Sequence, residues 1–476
     1  MSKKSKTLII VLGLLLIFAG AYYGSTLWSK NKSQSASQSY SPSPRLGNLE
    51  SSELVKIEFP GLILEKTGDT WELKSFKGET PPPEIELDQS QILNLTYTLA
   101  SIWIDSIVDE DPLDLSGYGL DNPSSRAAIT DSAGTRVEYI LGNMTPSLST
   151  YYVMEEGDPK VYSVSAYLAE NMNISLDKLR QRSLFPVFQS PELKHLTIES
   201  NGTLIEIEEK PETVRPYLAS VYTSHILTSP YKLMRGVSGE ALSKLLAPFS
   251  NLKIEDFIDD NPSSLQLYGL DRPVRIFLQT GDKTIDLLIG NEVEGKHYAM
   301  LGGSQDQVTG KAPGLARGVF TLSGMESVIN TKPFDLINKF ALLVNIDQVD
   351  NLEITGEGKN LSADLRREEG EETFFLNGKK TQTMAFKNYF QAAIGLMIDA
   401  EYPRTAAPGQ VLNREADEII AIEYRLNTPP GERLSITLVP YNRDFYALLQ
   451  EGATEFLISR NQVNRIFTIA NAMVFE

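Results

Sequence analysis

The chain has 476 residues, a formal net charge of -18 and no cysteine. Its length corresponds to about three domains, and its acidic balance argues against nucleic-acid binding, which needs a basic face. The lack of cysteine excludes disulfides, thiolate metal sites, cysteine nucleophiles and a lipid-modified cysteine. A diffuse acidic surface is typical of solubilising charge, and cation binding is the alternative interpretation.

The first predicted element is an apolar segment from Thr7 to Trp28, which three lysines precede. As a helix it is long enough to cross a hydrocarbon core of about 30 Å. The positive-inside rule makes 1–6 a cytoplasmic tail and 7–28 an uncleaved transmembrane anchor, with the bulk of the chain extracytoplasmic. A signal peptide cleaved near Ala19-Gly20-Ala21 is the alternative. The anchor interpretation predicts a single-pass protein of the cell membrane.

Residues 29–47 are rich in Ser, Gln, Asn and Pro and are predicted to form a flexible linker. Beyond this linker, one order of predicted strands and helices recurs three times. The predicted domains are repeat 1 at 48–189, repeat 2 at 190–343 and a divergent repeat 3 at 344–476.

Repeats 1 and 2 share a sequence signature. Tyr118-Gly119-Leu120-Asp121 returns as Tyr268-Gly269-Leu270-Asp271, and each copy has a proline two positions later. Each copy also leads into a strand that ends in Gly-Asn, at Gly142-Asn143 and at Gly290-Asn291. Two such blocks, about 150 residues apart, indicate a duplicated domain.

Alternating apolar and polar residues predict the strands of the first two repeats. In repeat 1 they lie at 55–59, 62–66, 70–73, 136–141, 151–154 and 161–164. In repeat 2 they lie at 196–199, 204–207, 274–278, 285–289, 297–301 and 319–322. Polar residues before apolar stripes predict helix N-termini. The predicted caps are Asp88 with Gln91, Ser165, Ser238, Ser323 with Glu326, and Ser459 with Gln462.

Repeat 3 lacks the tyrosine signature, and its assignment depends on the order of its elements. Its strands are predicted at 352–354, 361–365, 374–376, 419–424, 434–438, 445–449 and 456–458. Its helix is predicted to place Phe386, Tyr389, Phe390, Ala393 and Met397 on one stripe. Short turns between neighbouring strands imply antiparallel pairing with helices on one face. The predicted fold class is therefore α+β, with three tandem similar domains that each combine a sheet meander with one or two covering helices.

Several of these features together resemble a known family. They are the Trp71-Glu72-Leu73 strand, the tyrosine signature, the Gly-Asn strand end and the Arg182-Ser183-Leu184-Phe185-Pro186 exit. They are similar to a bacterial family described as domain of unknown function 4340. The resemblance implies a single-pass, outward-facing protein, often encoded beside an ABC-type ATPase, a permease and an auxiliary protein related to a gliding-motility component. It implies no catalytic, cofactor-binding or metal-binding residues.

The sequence offers few candidate catalytic residues. His195, His225 and His297 do not form a helical pair with Glu, and His195 is interpreted as a structural imidazole within a strand. Ser175 and Lys178 match a short Ser-x-x-Lys pattern that is common by chance. The glycines from Gly302 to Gly310 lack the spacing of a phosphate-binding loop and predict a long turn.

Two acidic runs precede the tyrosine signatures and include Asp109, Glu110, Asp111 and Asp114, then Asp256, Asp259 and Asp260. Solvated turn residues are the favoured interpretation, and a calcium site is the alternative. Tyr118 and Tyr268, with Asp121 and Asp271, are interpreted as aromatic anchors under turns. The alternative is that these four residues line a recognition site.

These observations predict a non-enzymatic, membrane-anchored scaffold or accessory protein outside the cytoplasmic membrane, associated with an ABC-type transport or envelope machine. The alternative is an extracytoplasmic protein that binds a glycan, lipid or peptide between its repeats. An envelope hydrolase with paired carboxylates is the least favoured interpretation.

Overall fold

The computed structural model describes residues 45–81, 85–184, 192–212, 223–281, 283–302, 318–368, 370–403, 417–427 and 432–476. The predicted tail at 1–6, the predicted anchor at 7–28 and the linker as far as residue 44 lie outside the described residues. Within the described ranges, no helix has the length and apolar character needed to span a bilayer. The described residues begin at Arg45, and Arg45–Leu46 pairs with a later strand.

Ten strands lie among the described residues before residue 166. They are β1 (Arg45–Leu46), β2 (Leu54–Phe59), β3 (Leu62–Thr67), β4 (Thr70–Phe76), β5 (Ile102–Trp103), β6 (Ser106–Asp109), β7 (Ser125–Asp131), β8 (Arg136–Met144), β9 (Thr150–Glu155) and β10 (Val161–Ser165). The strands β1 and β5 form a separate ribbon. The others form the first sheet, in the order β4-β3-β2-β7-β8-β9-β10-β6.

The second sheet contains nine strands in the order β14-β13-β12-β11-β16-β17-β18-β19-β15. They are β11 (Leu193–Ser200), β12 (Thr203–Glu209), β13 (His225–Ser229), β14 (Arg235–Gly236), β15 (Phe257–Asp259), β16 (Val274–Thr280), β17 (Lys283–Val293), β18 (Lys296–Leu301) and β19 (Val319–Leu322).

The third sheet contains nine strands in the order β23-β22-β21-β20-β25-β26-β27-β28-β24. They are β20 (Val349–Gly356), β21 (Lys359–Glu368), β22 (Glu371–Leu376), β23 (Lys379–Lys380), β24 (Ala400–Glu401), β25 (Ile420–Leu426), β26 (Arg433–Pro440), β27 (Phe445–Gln450) and β28 (Ala453–Ser459). This order matches that of the second sheet strand for strand, although the third sheet has no tyrosine signature.

Each sheet consists of two meanders that meet at a central antiparallel pair. The pair is β2 with β7 in the first sheet, β11 with β16 in the second and β20 with β25 in the third. A short strand between the two meanders crosses to pair with the last strand of its sheet, as β6 does with β10. The predicted α+β fold with sheet meanders is confirmed, whereas these short crossing strands were not predicted.

The helices lie between the two meanders and after the last strand of each sheet. They are α1 (Gln89–Ala100), α2 (Ala166–Met172), α3 (Leu176–Leu179), α4 (Gly239–Leu246), α5 (Glu326–Ile329), α6 (Pro333–Leu336), α7 (Thr383–Ile394) and α8 (Arg460–Asn471). The predicted stripe of α7 is buried from Phe386 to Ala393. Met397 is an exception, because the helix ends at Ile394 and the Met397 side chain is exposed.

Three of the five predicted caps form. Asp88 accepts hydrogen bonds from the amides of Ser90 and Gln91, and Ser165 and Ser238 each accept one from their own helices. The other two form no side-chain cap, although α8 does begin directly after Ser459 as predicted. The Ser323 hydroxyl instead donates to the Glu255 carboxylate at 3.0 Å, and Ser459 makes no side-chain cap. The intended partner of Ser459, Gln462, bonds to Asp399 instead.

The chain divides into two compact units, at 1–181 and 182–476. The first unit has its own core, which includes Ile57, Ile92 and Ile129. In the second unit, residues of the second and third sheets belong to one continuous hydrophobic cluster. The boundaries predicted for three separate domains, at 189/190 and 343/344, remain a prediction.

Candidate functional site

The tyrosine signature of the first sheet forms a turn that packs against the sheet. Gly119 has φ of 67°, a left-handed backbone conformation that favours glycine. The Tyr118 hydroxyl donates to the Asp109 carboxylate at 2.9 Å, and its ring meets the Tyr152 ring edge-to-face at 5.1 Å. Leu120 is buried beside it. The signature is therefore an aromatic anchor that holds a turn in place.

The second sheet repeats this arrangement. Gly269 has φ of 70°, the Tyr268 hydroxyl donates to Asp259 at 2.9 Å, and its ring meets Tyr298 edge-to-face at 5.1 Å. Leu270 is again buried. Because the hydrogen bond, the ring contact and the buried leucine all recur, the two signatures are structurally equivalent as well as similar in sequence.

The Gly-Asn strand ends explain why both motifs recur together. A Cβ atom at Gly142 would lie 2.3 Å from the carbonyl oxygen of Tyr118, and one at Gly290 would lie 2.1 Å from that of Tyr268. Real Cβ atoms do not approach a backbone oxygen so closely. The turn can therefore pack on the strand only where the strand carries glycine.

The carboxylates of the acidic runs bond within their own turns. Asp109 accepts the Asp111 amide as well as the Tyr118 hydroxyl, and the bond from Tyr118 raises the pKa of that phenol. The Ser116 hydroxyl and amide lower the pKa of Asp114. Within the described residues, no three carboxylates of either run converge on one point. This geometry favours the interpretation as turn residues over a calcium site.

In the second acidic run, Asp256 is held by side chains of β18 and β19 instead. The Asp256 carboxylate accepts Lys296 Nζ at 2.7 Å and the Thr321 hydroxyl at 2.9 Å. Both hydrogen bonds, that of Lys296 first, lower the pKa of Asp256.

The three histidines have different surroundings. His225 is buried and bonds through Nε2 to the Leu193 carbonyl and through Nδ1 to the Ser224 hydroxyl. His297 is also buried. His195 is half-buried and faces two carboxylates, Glu206 and Glu208, with one potential ligand atom of each residue within 4.8 Å of the others. This cluster was not predicted, because its members lie on neighbouring strands. The signal for this cluster in the sequence is a pair of glutamates two positions apart on one strand.

The other short motifs bring no reactive groups together. Ser175 immediately precedes α3, and the Lys178 ammonium lies 3.9 Å from Glu170 in an exposed ion pair. Gly302 is described and packs against Asp286, whereas Gly303 to Lys311 lie outside the described residues.

A cavity of about 580 Å³ lies between the second and third sheets. It is lined by Pro230, Tyr231, Lys232, Glu401, Tyr402, Pro403, Thr454 and Glu455. Two of its carboxylates join the sheets. Glu401 accepts the Tyr231 hydroxyl at 2.7 Å, and Glu455 accepts the Lys232 amide at 2.6 Å.

A buried cation strengthens the same junction. The Arg235 side chain donates from Nη1 to the Gln450 amide oxygen at 3.0 Å. Its guanidinium also lies 4.7 Å from the centre of the Phe456 ring. Arg235 and Gln450 are almost fully buried, where loss of a hydrogen bond costs more than it does at the surface.

The repeated sheets and the paired tyrosine turns define an α+β protein built by duplication of one unit. The profile of the family Domain of unknown function (DUF4340) matches residues 79–273 and again residues 226–396. The chain therefore belongs to this family, as its resemblance implied. No curated protein and no solved structure shows a significant match to the chain.

Proposed function

We propose that this protein is a non-enzymatic scaffold or accessory subunit, anchored in the cell membrane by one N-terminal helix and exposed outside it. Its partners are the permease and ATPase of an ABC-type transport or envelope machine. The apolar segment 7–28, with lysines before it, supports the location.

The observation that carries the scaffold role is the construction of the second unit. Two sheets of matching strand order share one hydrophobic core and are joined by the Arg235–Gln450 contact. The second unit therefore presents the surfaces of two similar sheets in a fixed arrangement. Repeated surfaces on one chain increase the effective concentration of a second contact after the first has formed.

Purification from native membranes tests the proposed partners. The tagged full-length chain would be solubilised in mild detergent, and co-purifying proteins would be quantified by mass spectrometry. The matched control carries residues 1–44 fused to an unrelated folded domain. We expect an ABC permease and ATPase to be enriched with the full chain over this control. Equal recovery would refute the association.

Reporter fusions after Ser43 test the location separately. A periplasmic-type reporter such as alkaline phosphatase should be active there, and a cytoplasmic reporter should be inactive. The opposite pattern would refute the proposed topology without bearing on the partners.

The second candidate function is binding of a glycan or peptide, and the cavity between the second and third sheets favours it. Its volume of about 580 Å³ lies in the usual range of ligand sites, and Tyr231 and Tyr402 contribute aromatic surface. Calorimetric titration with a chito-oligosaccharide and a basic hexapeptide tests this function, with Tyr402→Ala as the variant. Binding that Tyr402→Ala leaves unchanged would exclude this cavity.

A further inference from the structure

Three metal-ligating side chains converge on one face of the second sheet. His195 on β11 lies directly opposite Glu208 on β12, and Glu206 lies two residues away on the same strand. Because side chains alternate along a strand, all three project from one face. The intervening Leu196 and Ile207 are buried on the opposite face, in the core.

The distances suit a small cation. The His195 Nε2 atom lies 3.2 Å from Oε1 of Glu206, and one ligand atom from each of the three residues falls within 4.8 Å of the others. Adjacent ligands of a tetrahedral zinc ion lie roughly 3.3 Å apart, given bonds of about 2.0–2.1 Å. His195 and Glu206 therefore already have the required separation, and a carboxylate oxygen of Glu208 lies within 4.8 Å of both ligand atoms.

The charge at this place also favours a cation. Two carboxylates within this distance repel each other, and no lysine or arginine among the described residues forms an ion pair with either. The His195 and Glu206 side chains are each 30% exposed, so an ion can reach them from solvent.

Neighbouring residues hold the ligands in position. The Thr228 hydroxyl donates to Oε2 of Glu206 at 3.0 Å, which leaves Oε1 directed at the imidazole. The Phe277 ring packs edge-on against His195 at 5.8 Å. Outer contacts of this kind orient ligands in known metal sites.

We propose that His195, Glu206 and Glu208 form a binding site for a divalent transition metal, with zinc as the best fit. An imidazole with two carboxylates suits zinc, whereas magnesium and calcium take ligand sets made of oxygen. Three protein ligands leave one position of a tetrahedral ion open to water. This site is independent of the proposed scaffold role.

Equilibrium dialysis of the chelator-treated full-length chain in detergent tests the proposal, with zinc chloride as the probe. We expect one zinc per chain, with affinity at least about tenfold weaker in His195→Gln and in Glu208→Gln. The matched control is Glu199→Gln, which removes an exposed charge from the same face of β11 and should bind as the wild type does. Unchanged zinc binding in both ligand variants, or none in the wild type at micromolar zinc, would overturn the proposal.

A second measurement on the wild-type chain does not depend on variant folding. Zinc should protect His195 from diethylpyrocarbonate, as read by peptide mass spectrometry, and magnesium at the same concentration should not. Equal modification of His195 with and without zinc would also overturn the site.

Discussion

The fit between the tyrosine turn and the Gly-Asn strand can be measured with four Gly→Ala substitutions in the first unit. Gly142 has ordinary backbone angles but no room for a Cβ atom, which would lie 2.3 Å from the Tyr118 carbonyl oxygen. Because that oxygen belongs to the backbone, the collision can be removed only if the whole turn moves. Overpacking costs about 1–3 kcal/mol, and we expect Gly142→Ala to lie at the upper end.

The other three glycines separate backbone strain from collision. Gly134 has φ of +87° and open space, so Gly134→Ala should cost about 1 kcal/mol of strain alone. Gly119 has φ of +67°, and its Cβ would meet the exposed Asn143 side chain, which can rotate away. Gly119→Ala should therefore cost about 1–2 kcal/mol. Gly117 has neither constraint, and Gly117→Ala should change stability by about 0.5 kcal/mol at most.

Tryptophan fluorescence during urea unfolding is a selective assay for this unit. The three tryptophans of the chain, Trp28, Trp71 and Trp103, all precede residue 182, and Trp71 is buried in the first core. We expect Gly142→Ala to lower the free energy of unfolding most, which corresponds to roughly 10 °C in Tm. Two results would refute this prediction. One is a Gly142→Ala variant with the same free energy of unfolding as Gly117→Ala, and the other is a larger loss of stability in Gly134→Ala than in Gly142→Ala.

Three further predictions concern the second unit. Tyr268→Phe removes a hydrogen bond to Asp259 and should lower the free energy of unfolding, measured in urea, by about 1 kcal/mol. Because that bond raises the pKa of the Tyr268 phenol, the wild type should lose its extra stability over the variant only above pH 10. Burial lowers the pKa of Lys339 from 10.5 to about 8, so below pH 8 the folded chain holds a desolvated charge. Lys339→Met should then have a larger free energy of unfolding than wild type at pH 7, and this difference should shrink as pH rises from 8 towards 10.5. A difference that stays constant with pH would contradict the prediction. Arg235→Met should cost about 2 kcal/mol by leaving Gln450 unpaired, and the double variant with Gln450→Leu should recover part of the loss.

Local patterns in the sequence predicted most of the fold. The strands at 62–66 and 70–73 and the Asp88 cap all depend on neighbouring residues, and all are present. The crossing strands β6, β15 and β24 were missed because each is short and is held by a partner far along the chain. A strand of two to four residues is too short to show an alternating pattern of apolar and polar residues, and its distant partner is not visible in the local sequence.

The same limit applies to the candidate sites. Tyr118 could be identified as an anchor because its partner Asp109 lies in the preceding run. The sequence alone indicates a structural role for His195, because Glu206 and Glu208 become its neighbours only through the register of β11 and β12. The Gln462 cap failed for a related reason, since Asp399 competes for that side chain.

The two family matches begin at residues 79 and 226, so their boundaries fall within the sheets rather than between them. A fragment cut at 79–273 would contain β7 without β2, and β11 without β16. Two central strands would then present bare hydrogen-bonding edges, which invite pairing between molecules. Expression trials that follow the family boundaries should therefore yield aggregates, whereas the pieces 45–181 and 182–476 should be soluble.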